Sequence, residues 1–168
     1  MNRLKVFILL VVFVFLEALG LGVFFNNIKP NLSIILIIYL GLNCPPQEAG
    51  LYGCLAGVLE DLLSVDLFGI NTLSLGLLGL VLGYLNKYLY KETTTSKILI
   101  GSLSVLIYEI AHYFILKIFY TDLIFLRALV YTILPSAIYT VVILPLIFVV
   151  LKKVLKPVAR QPLFISFK

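Results

Sequence analysis

The sequence predicts an all-α integral membrane protein with six transmembrane helices, and three observations support this fold class. First, 62% of the 168 residues are hydrophobic, 12% are charged, and the mean hydropathy is +1.14, whereas soluble domains are about 45–50% apolar and about 25% charged. Second, short polar or proline-containing stretches divide the apolar residues into segments. Third, these segments lack the ten-residue alternation of a membrane barrel, so helices must satisfy the backbone in lipid.

In chain order, the predicted segments are 4–25, 32–42, 47–64, 68–90, 98–119 and 125–151. The first follows basic residues as a signal peptide does, but its apolar run of about 20 residues lacks a small-residue cleavage site, which indicates a retained helix. Pro30 suits the first turn of the second segment, which is too short to cross a bilayer unless it lies inside a bundle or the bilayer thins. We expect one transmembrane domain over 1–151 and a basic cytoplasmic tail over 152–168.

The basic residues predict the orientation. Six crossings put both termini on one side, with ten Lys and Arg residues against three on the other. The ten are Arg3, Lys5, Lys87, Lys91, Lys97, Lys152, Lys153, Lys156, Arg160 and Lys168, and the three are Lys29, Lys117 and Arg127. The positive-inside rule then predicts that both termini lie in the cytoplasm. The tail is expected to anchor to anionic lipids, at about 1 kcal/mol per basic residue, or to dock a cytoplasmic partner; nucleic-acid binding is not expected.

The stretch 50–83 is predicted to be a helical hairpin around which the chain is organised. Its helices carry two glycine sets with the same G-x-x-G-x-x-x-G spacing. The sets are Gly50, Gly53 and Gly57, and Gly76, Gly79 and Gly83. Residues three and four apart share a helix face, and small-residue stripes let helices approach closely in lipid. Internal packing, homodimerisation and contact with a different protein remain open uses of these stripes.

The acidic pair Glu60–Asp61 ends the first helix of this hairpin, where the helix dipole disfavours negative charge. Asp61 could cap the start of the next helix or bond the turn that leads to it, or it could contact a partner. Gly69 is expected to supply a positive φ in that turn.

Ionisable residues inside membrane segments mark functional or pairing sites, and Glu17, Glu109 and His112 are the candidates. Glu109 and His112 lie three residues apart on one helix face, so His112 could hydrogen-bond Glu109. Four roles remain open for these residues: contacts between helices, a neutral Glu109 held by burial, a partner or ligand contact, and metal or proton chemistry. One E-x-x-H is half of a di-metal site, which only a symmetric dimer could complete.

Catalysis and resident cofactors are not expected. The motifs of metalloproteases, serine hydrolases and phosphate-binding loops do not occur in the sequence. Cys44 and Cys54 lack metal-site spacing and are interpreted as small hydrophobes. Pro135 and Pro145 are predicted to bend the sixth helix, with Ser136 and Thr140 satisfying the freed backbone groups.

Two sequence patterns resemble the rod shape-determining protein MreD family. Lys29, Pro30 and Asn31 are followed by the apolar run SIILIIYLGL, residues 33–42. A G-x-x-x-G-x-x-x-D-L-x-S-x-x-x-x-G pattern then follows, formed by Gly53, Gly57, Asp61, Leu62, Ser64 and Gly69. The resemblance extends over about 29–85. It departs from the family at Lys29, where Arg is usual and only Arg makes bidentate contacts, and at Glu60.

The resemblance implies a non-enzymatic scaffold of the bacterial cell-elongation complex that supports peptidoglycan synthesis. The implied partners are an MreC-like bitopic membrane protein, the cell-wall synthases and MreB-like filaments. It also implies a fold similar to the substrate-binding subunits of energy-coupling vitamin importers. The residues expected to bind a partner or form a structural motif are Pro30, Asn31, Gly53, Gly57, Asp61, Ser64, Gly69, Gly79 and Gly83.

We hypothesise that the edge of the hairpin receives the partner's helix, so that leucines at Gly53 and Gly57 abolish capture while the protein still inserts. The alternative function is a vitamin-binding importer subunit, with Glu17, Glu109 and His112 lining the pocket.

Overall fold

The computed structural model describes residues 3–20, 30–64, 67–88, 94–119 and 129–155, and in these ranges the chain forms six helices and no strand. The helices are α1 (Arg3–Ala18), α2 (Leu32–Gly41), α3 (Pro46–Leu63), α4 (Ile70–Tyr88), α5 (Thr94–Phe119) and α6 (Leu134–Leu155). A π-helical turn, Leu129–Ile133, leads into α6. The predicted all-α class is therefore confirmed. Most of the predicted tail and part of the polar loop before α5 lie outside the described residues.

Helix α2 lies at the centre of the bundle. Every residue from Ser33 to Gly41 is buried, and α2 contacts each of the other five helices. With 10 residues it is about 15 Å long, half of the roughly 30 Å hydrocarbon core. Of the two alternatives for this short segment, a place inside a bundle and a thinned bilayer, the structure shows the first.

Polar contacts define two ends of the bundle. At the end that we call the Glu17 end, α1 and α3 terminate and α2 and α4 begin, since Glu17 bonds Ser33 and Asp61 bonds Asn71. At the opposite end, which we call the Lys97 end, α2 and α4 terminate and α5 begins, since Asn86 and Lys97 bond the end of α2. The first five helices therefore alternate in direction.

The outside of the bundle is apolar. Exposed large hydrophobic side chains occur on every helix except α2 and include Leu4, Leu62, Val81, Ile118 and Leu146. Soluble monomers rarely expose continuous apolar patches larger than a few hundred Å². Two helical stretches, Thr95–Phe119 and Leu129–Leu155, are long and apolar enough to cross a membrane. These features fit membrane insertion, whereas the count of six crossings stays a prediction.

Helix α1 ends earlier than the predicted segment 4–25. Its last residue is Ala18, and Gly20 follows with φ = +67°. The Gly20 amide donates to the carbonyl of Glu17 at 3.1 Å, as in the glycine-terminated C-cap of a Schellman motif. Glu17 therefore lies in the last turn of α1 and not inside the longer helix that the predicted segment 4–25 implies. Residues 21–29 lie outside the described part of the chain.

The sixth helix contains Pro145 within α6, and the π-helical turn directly precedes Leu134–Pro135. A proline removes one backbone hydrogen bond, and wider turns commonly accommodate such a defect. The hydroxyls of Ser136 and Thr140 bond groups on other elements, Glu109 and the Asn31 amide respectively. These hydroxyls thus join α6 to other elements, because buried polar groups on neighbouring helices also need partners. Their use in satisfying the α6 backbone stays a prediction.

Candidate functional site

Helices α3 and α4 form the most extensive helix pair, and their glycine stripes face each other. A Cβ atom added at Gly53 would overlap the Leu75 carbonyl, and one at Gly57 would overlap the Thr72 backbone. From the other side, a Cβ at Gly79 would overlap the Ala49 carbonyl, and one at Gly83 would overlap Pro46. Both stripes are thus used in internal packing, one of the three uses that the sequence left open. Gly53 and Gly57 are covered by α4, so these two glycines offer no free surface to a partner helix.

Asp61 joins the end of α3 to the start of α4. Its Oδ2 atom accepts hydrogen bonds from the Gly69 amide at 2.9 Å, the Thr72 amide at 3.1 Å and the Thr72 hydroxyl at 2.6 Å. Its Oδ1 atom accepts from the Asn71 amide at 3.1 Å. These bonds satisfy amides at the α4 N-terminus that have no partner within the helix. The positive end of the α4 dipole also compensates for the unfavourable position of Asp61 at the end of α3.

The turn between α3 and α4 supports this cap. Gly69 has φ = +104°, which confirms the predicted positive φ. The Ser64 hydroxyl donates to the Asp61 carbonyl at 3.4 Å. Asp61 itself is only 4% exposed, so its contacts are those of a helix cap.

The N-terminus of α2 receives polar groups from two other helices. The Ile34 amide donates to Asn31 Oδ1 at 2.9 Å, and the Asn31 amide donates to the Thr140 hydroxyl at 3.2 Å. The Ser33 amide and hydroxyl donate to Glu17 Oε2 at 3.3 and 3.0 Å. Pro30 and Asn31, which carry part of the family resemblance, thus lead into a helix start that α1 and α6 complete.

The C-terminus of α2 is completed from α4 and α5. Asn86 Nδ2 donates to the Gly41 carbonyl at 3.2 Å. Lys97 Nζ donates to the Leu42 carbonyl at 3.3 Å and to Asn43 Oδ1 at 2.7 Å. Glu17 at the N-terminus and Lys97 at the C-terminus match the sign of the α2 dipole. Asn86 is a site residue that was not predicted from the sequence; its signal is an amide inside the otherwise apolar segment 68–90.

Glu109 and His112 connect α5 to two different helices. Glu109 Oε1 accepts a hydrogen bond from the Ser136 hydroxyl at 2.7 Å, which joins α5 to α6. His112 Nδ1 lies 3.3 Å from the Ser74 hydroxyl, which joins α5 to α4, and its ring stacks on Tyr108 with centroids 5.6 Å apart. Glu109 and His112 thus make contacts between helices, which is one of the alternatives that the sequence left open for them. The described residues contain no group of three or more His, Cys, Asp or Glu that could hold a metal ion.

A cleft of about 280 Å³ opens at the Glu17 end of the bundle. Its lining residues are Val14, Glu17, Ala18, Asn31, Glu60, Leu63, Ser64 and Asn71. The cleft therefore combines Glu17, Asn31 and Ser64, which the sequence analysis singled out, with Glu60, which it noted only as the neighbour of Asp61. Glu109 and His112 are not among the lining residues, so the three side chains proposed for a vitamin pocket do not share this cleft.

Comparison with known proteins identifies the family. A family model described as rod shape-determining protein MreD matches residues 1–157. No significant match was found among curated proteins or among solved structures, so the expected similarity to importer subunits stays a prediction. The matched region includes all six described helices and every residue of the sequence motif. The chain is a member of the MreD family of rod shape-determining proteins.

Proposed function

We propose that this protein is a non-enzymatic, six-pass scaffold of the cell-elongation complex in the bacterial inner membrane, with both termini in the cytoplasm. Family membership supports a role in rod shape determination. The scaffold binds an MreC-like bitopic protein and, through that assembly, supports peptidoglycan synthesis by the cell-wall synthases and their link to MreB-like filaments. Lipids surround the apolar outer surface.

The observation that carries this proposal is that the MreD-like motif forms one rigid joint. Gly53 and Gly57 bring α3 against the α4 backbone, and Asp61 and Gly69 fix the turn between the two helices. The motif residues are thus used to hold helices in place, and they do not assemble a set of reacting groups. A joint of this kind suits a protein that works by presenting a fixed surface within a complex.

The test is affinity purification from native cells in mild detergent, with mass spectrometry of the recovered proteins and of the released small molecules. We expect an MreC-like bitopic protein and cell-wall synthases, without a stoichiometric small molecule. An unrelated multi-pass protein with the same tag provides the control for non-specific capture. Recovery of an ATPase pair, or of one vitamin per chain, would overturn the proposal in favour of an importer subunit.

A further inference from the structure

We infer that the cleft at the Glu17 end binds a cationic side chain, the ammonium of a lysine or the guanidinium of an arginine, from the bitopic partner. This inference rests on the proposed function and adds a recognition site to it. Its basis is one buried carboxyl oxygen that has no hydrogen-bond partner among the described residues.

Glu60 carries that carboxylate. It lines the cleft, and its Oε1 atom is buried without a hydrogen-bond partner among the described residues. The Ser33 hydroxyl lies within reach of Glu60, but a serine hydroxyl has one proton to donate, and this one is directed to Glu17 Oε2. A buried carboxylate oxygen without a donor is costly, so a donor supplied from outside the described chain would stabilise it.

The surroundings of Glu60 add negative charge. Glu60 interacts electrostatically with both Glu17 and Asp61, and the buried Tyr108 hydroxyl interacts electrostatically with the same three carboxylates and with Glu109. The eight residues that line the cleft include no Lys, Arg or His. The nearby helix N-termini are already engaged, since Asn31 and Glu17 bond the start of α2 and Asp61 bonds the start of α4. The cleft therefore complements a cation.

A protein side chain fits this cleft better than a lipid headgroup or a metal ion. The amine of phosphatidylethanolamine comes with a phosphate, which two carboxylates would repel. A metal ion needs several close ligands, and no suitable group of three occurs in the described residues. Lys and Arg carry a cation at the tip of an apolar stem, and the guanidinium fork can bond both carboxylates at once.

The test places a photo-crosslinking residue at Leu63, which lines the cleft and is 48% exposed. Full-length protein is irradiated in native membranes as the unsubstituted chain, as Glu60→Gln and as Glu48→Gln. Glu60→Gln removes the charge and keeps the shape. Glu48→Gln is the matched control, because Glu48 lies on the same helix at its other end and pairs with Arg3 at 3.5 Å.

We expect Glu60→Gln to lower the yield of the crosslink to the bitopic partner by about tenfold or more, because loss of one member of a buried charge pair weakens binding strongly. Glu48→Gln should leave the yield unchanged. Glu60→Gln should not lower the thermal unfolding midpoint, since the amide keeps the shape of the side chain and the Oε1 atom has no donor among the described residues to lose. Glu60→Lys should also abolish the crosslink, and replacing the partner's cationic residue with Glu should restore it.

Other outcomes separate this inference from the proposed function. Capture of the partner at equal yield by Glu60→Gln and the unsubstituted chain would overturn the inference and leave the scaffold proposal standing. A crosslink to lipid, or to the chain's own residues 21–29, would also overturn the inference, because the occupant would then be a headgroup or a cation such as Lys29. Failure of the unsubstituted chain to capture any bitopic protein would overturn both.

Discussion

Asp61 shows how a carboxylate at the C-terminal end of one helix is stabilised by the N-terminus of the next. Its carboxylate lies at the negative end of α3, yet the four donors around it all belong to the turn and the first residues of α4. Because the two helices are antiparallel, the negative end of α3 lies beside the positive end of α4, which offsets the unfavourable position of the carboxylate at the end of α3.

Replacing Asp61 with Ala should destabilise the protein by about 2–4 kcal/mol, because several buried donors lose their acceptor together. Asp61→Asn should cost less, since the amide oxygen can still accept from some of these donors. The measurement is thermal unfolding in mild detergent. Glu48→Ala, on the same helix but more exposed, is the control. Equal midpoints for the Ala variants at positions 61 and 48 would contradict the cap.

The residues of this joint were partly predictable from the sequence. A carboxylate at the end of one helix, a short turn and a glycine are local signals, and they indicated both the cap and the positive φ of Gly69. The role of Glu60 was not predictable, because it depends on Glu17 and Ser33 approaching from other helices. The bond between Lys97 and Leu42 spans 55 residues of sequence, and no local pattern indicates such a partner.

At the scale of the element, the hairpin of α3 and α4 depends on the absence of side chains at its interface. Gly57→Ala should lower the free energy of unfolding by about 3 kcal/mol, at the upper end for overpacking, because the new methyl group would meet the fixed Thr72 backbone. Gly69→Ala is the matched control. No atom lies within 4 Å of its Cβ position, so it should cost only the roughly 1–2 kcal/mol of a left-handed conformation.

The same packing changes the result expected for leucine substitutions. Leucines at Gly53 and Gly57 should reduce the amount of folded protein, as measured by size-exclusion chromatography in detergent, together with partner capture. Loss of capture by a protein that elutes and unfolds like the unsubstituted chain would instead show that these glycines contact the partner directly.

Helix α2 depends on neighbouring helices at both ends. Lys97→Met should destabilise the bundle by about 1–3 kcal/mol, because the Leu42 carbonyl and the Asn43 side chain lose a charged donor. Lys117→Met, an exposed position in the last turn of α5, should change stability by less than about 0.5 kcal/mol. Chemical unfolding of both variants in detergent provides the comparison, and equal effects would contradict the role of Lys97.

At the scale of the whole molecule, the alternating direction of the helices brings basic residues from different helices to the same end of the bundle. Arg3 and Lys97 both lie at the Lys97 end, where Arg3 pairs with Glu48 at the start of α3. The positive-inside rule then predicts that the Lys97 end faces the cytoplasm. The helix order could be predicted from hydropathy, but the central position of α2 required knowledge of what surrounds it, since a short apolar run can also be an interfacial segment.

Reporter fusions test this orientation. We expect fusions at both termini, and in the 89–93 connection, to report a cytoplasmic location, and a fusion in 120–128 to report the opposite side. A fusion to an established single-pass protein calibrates each reporter. A C-terminal fusion located outside the cytoplasm would contradict the six-crossing topology.

The completion of α2 by distant groups also sets an order for biogenesis. The Thr140 hydroxyl that bonds the Asn31 amide is encoded 109 residues later, so at about 5–20 residues per second the ribosome delivers it about 5–20 s after Asn31. During that interval the start of α2 lacks one of its native bonds. The native bundle can therefore close completely only after its last helix has been synthesised.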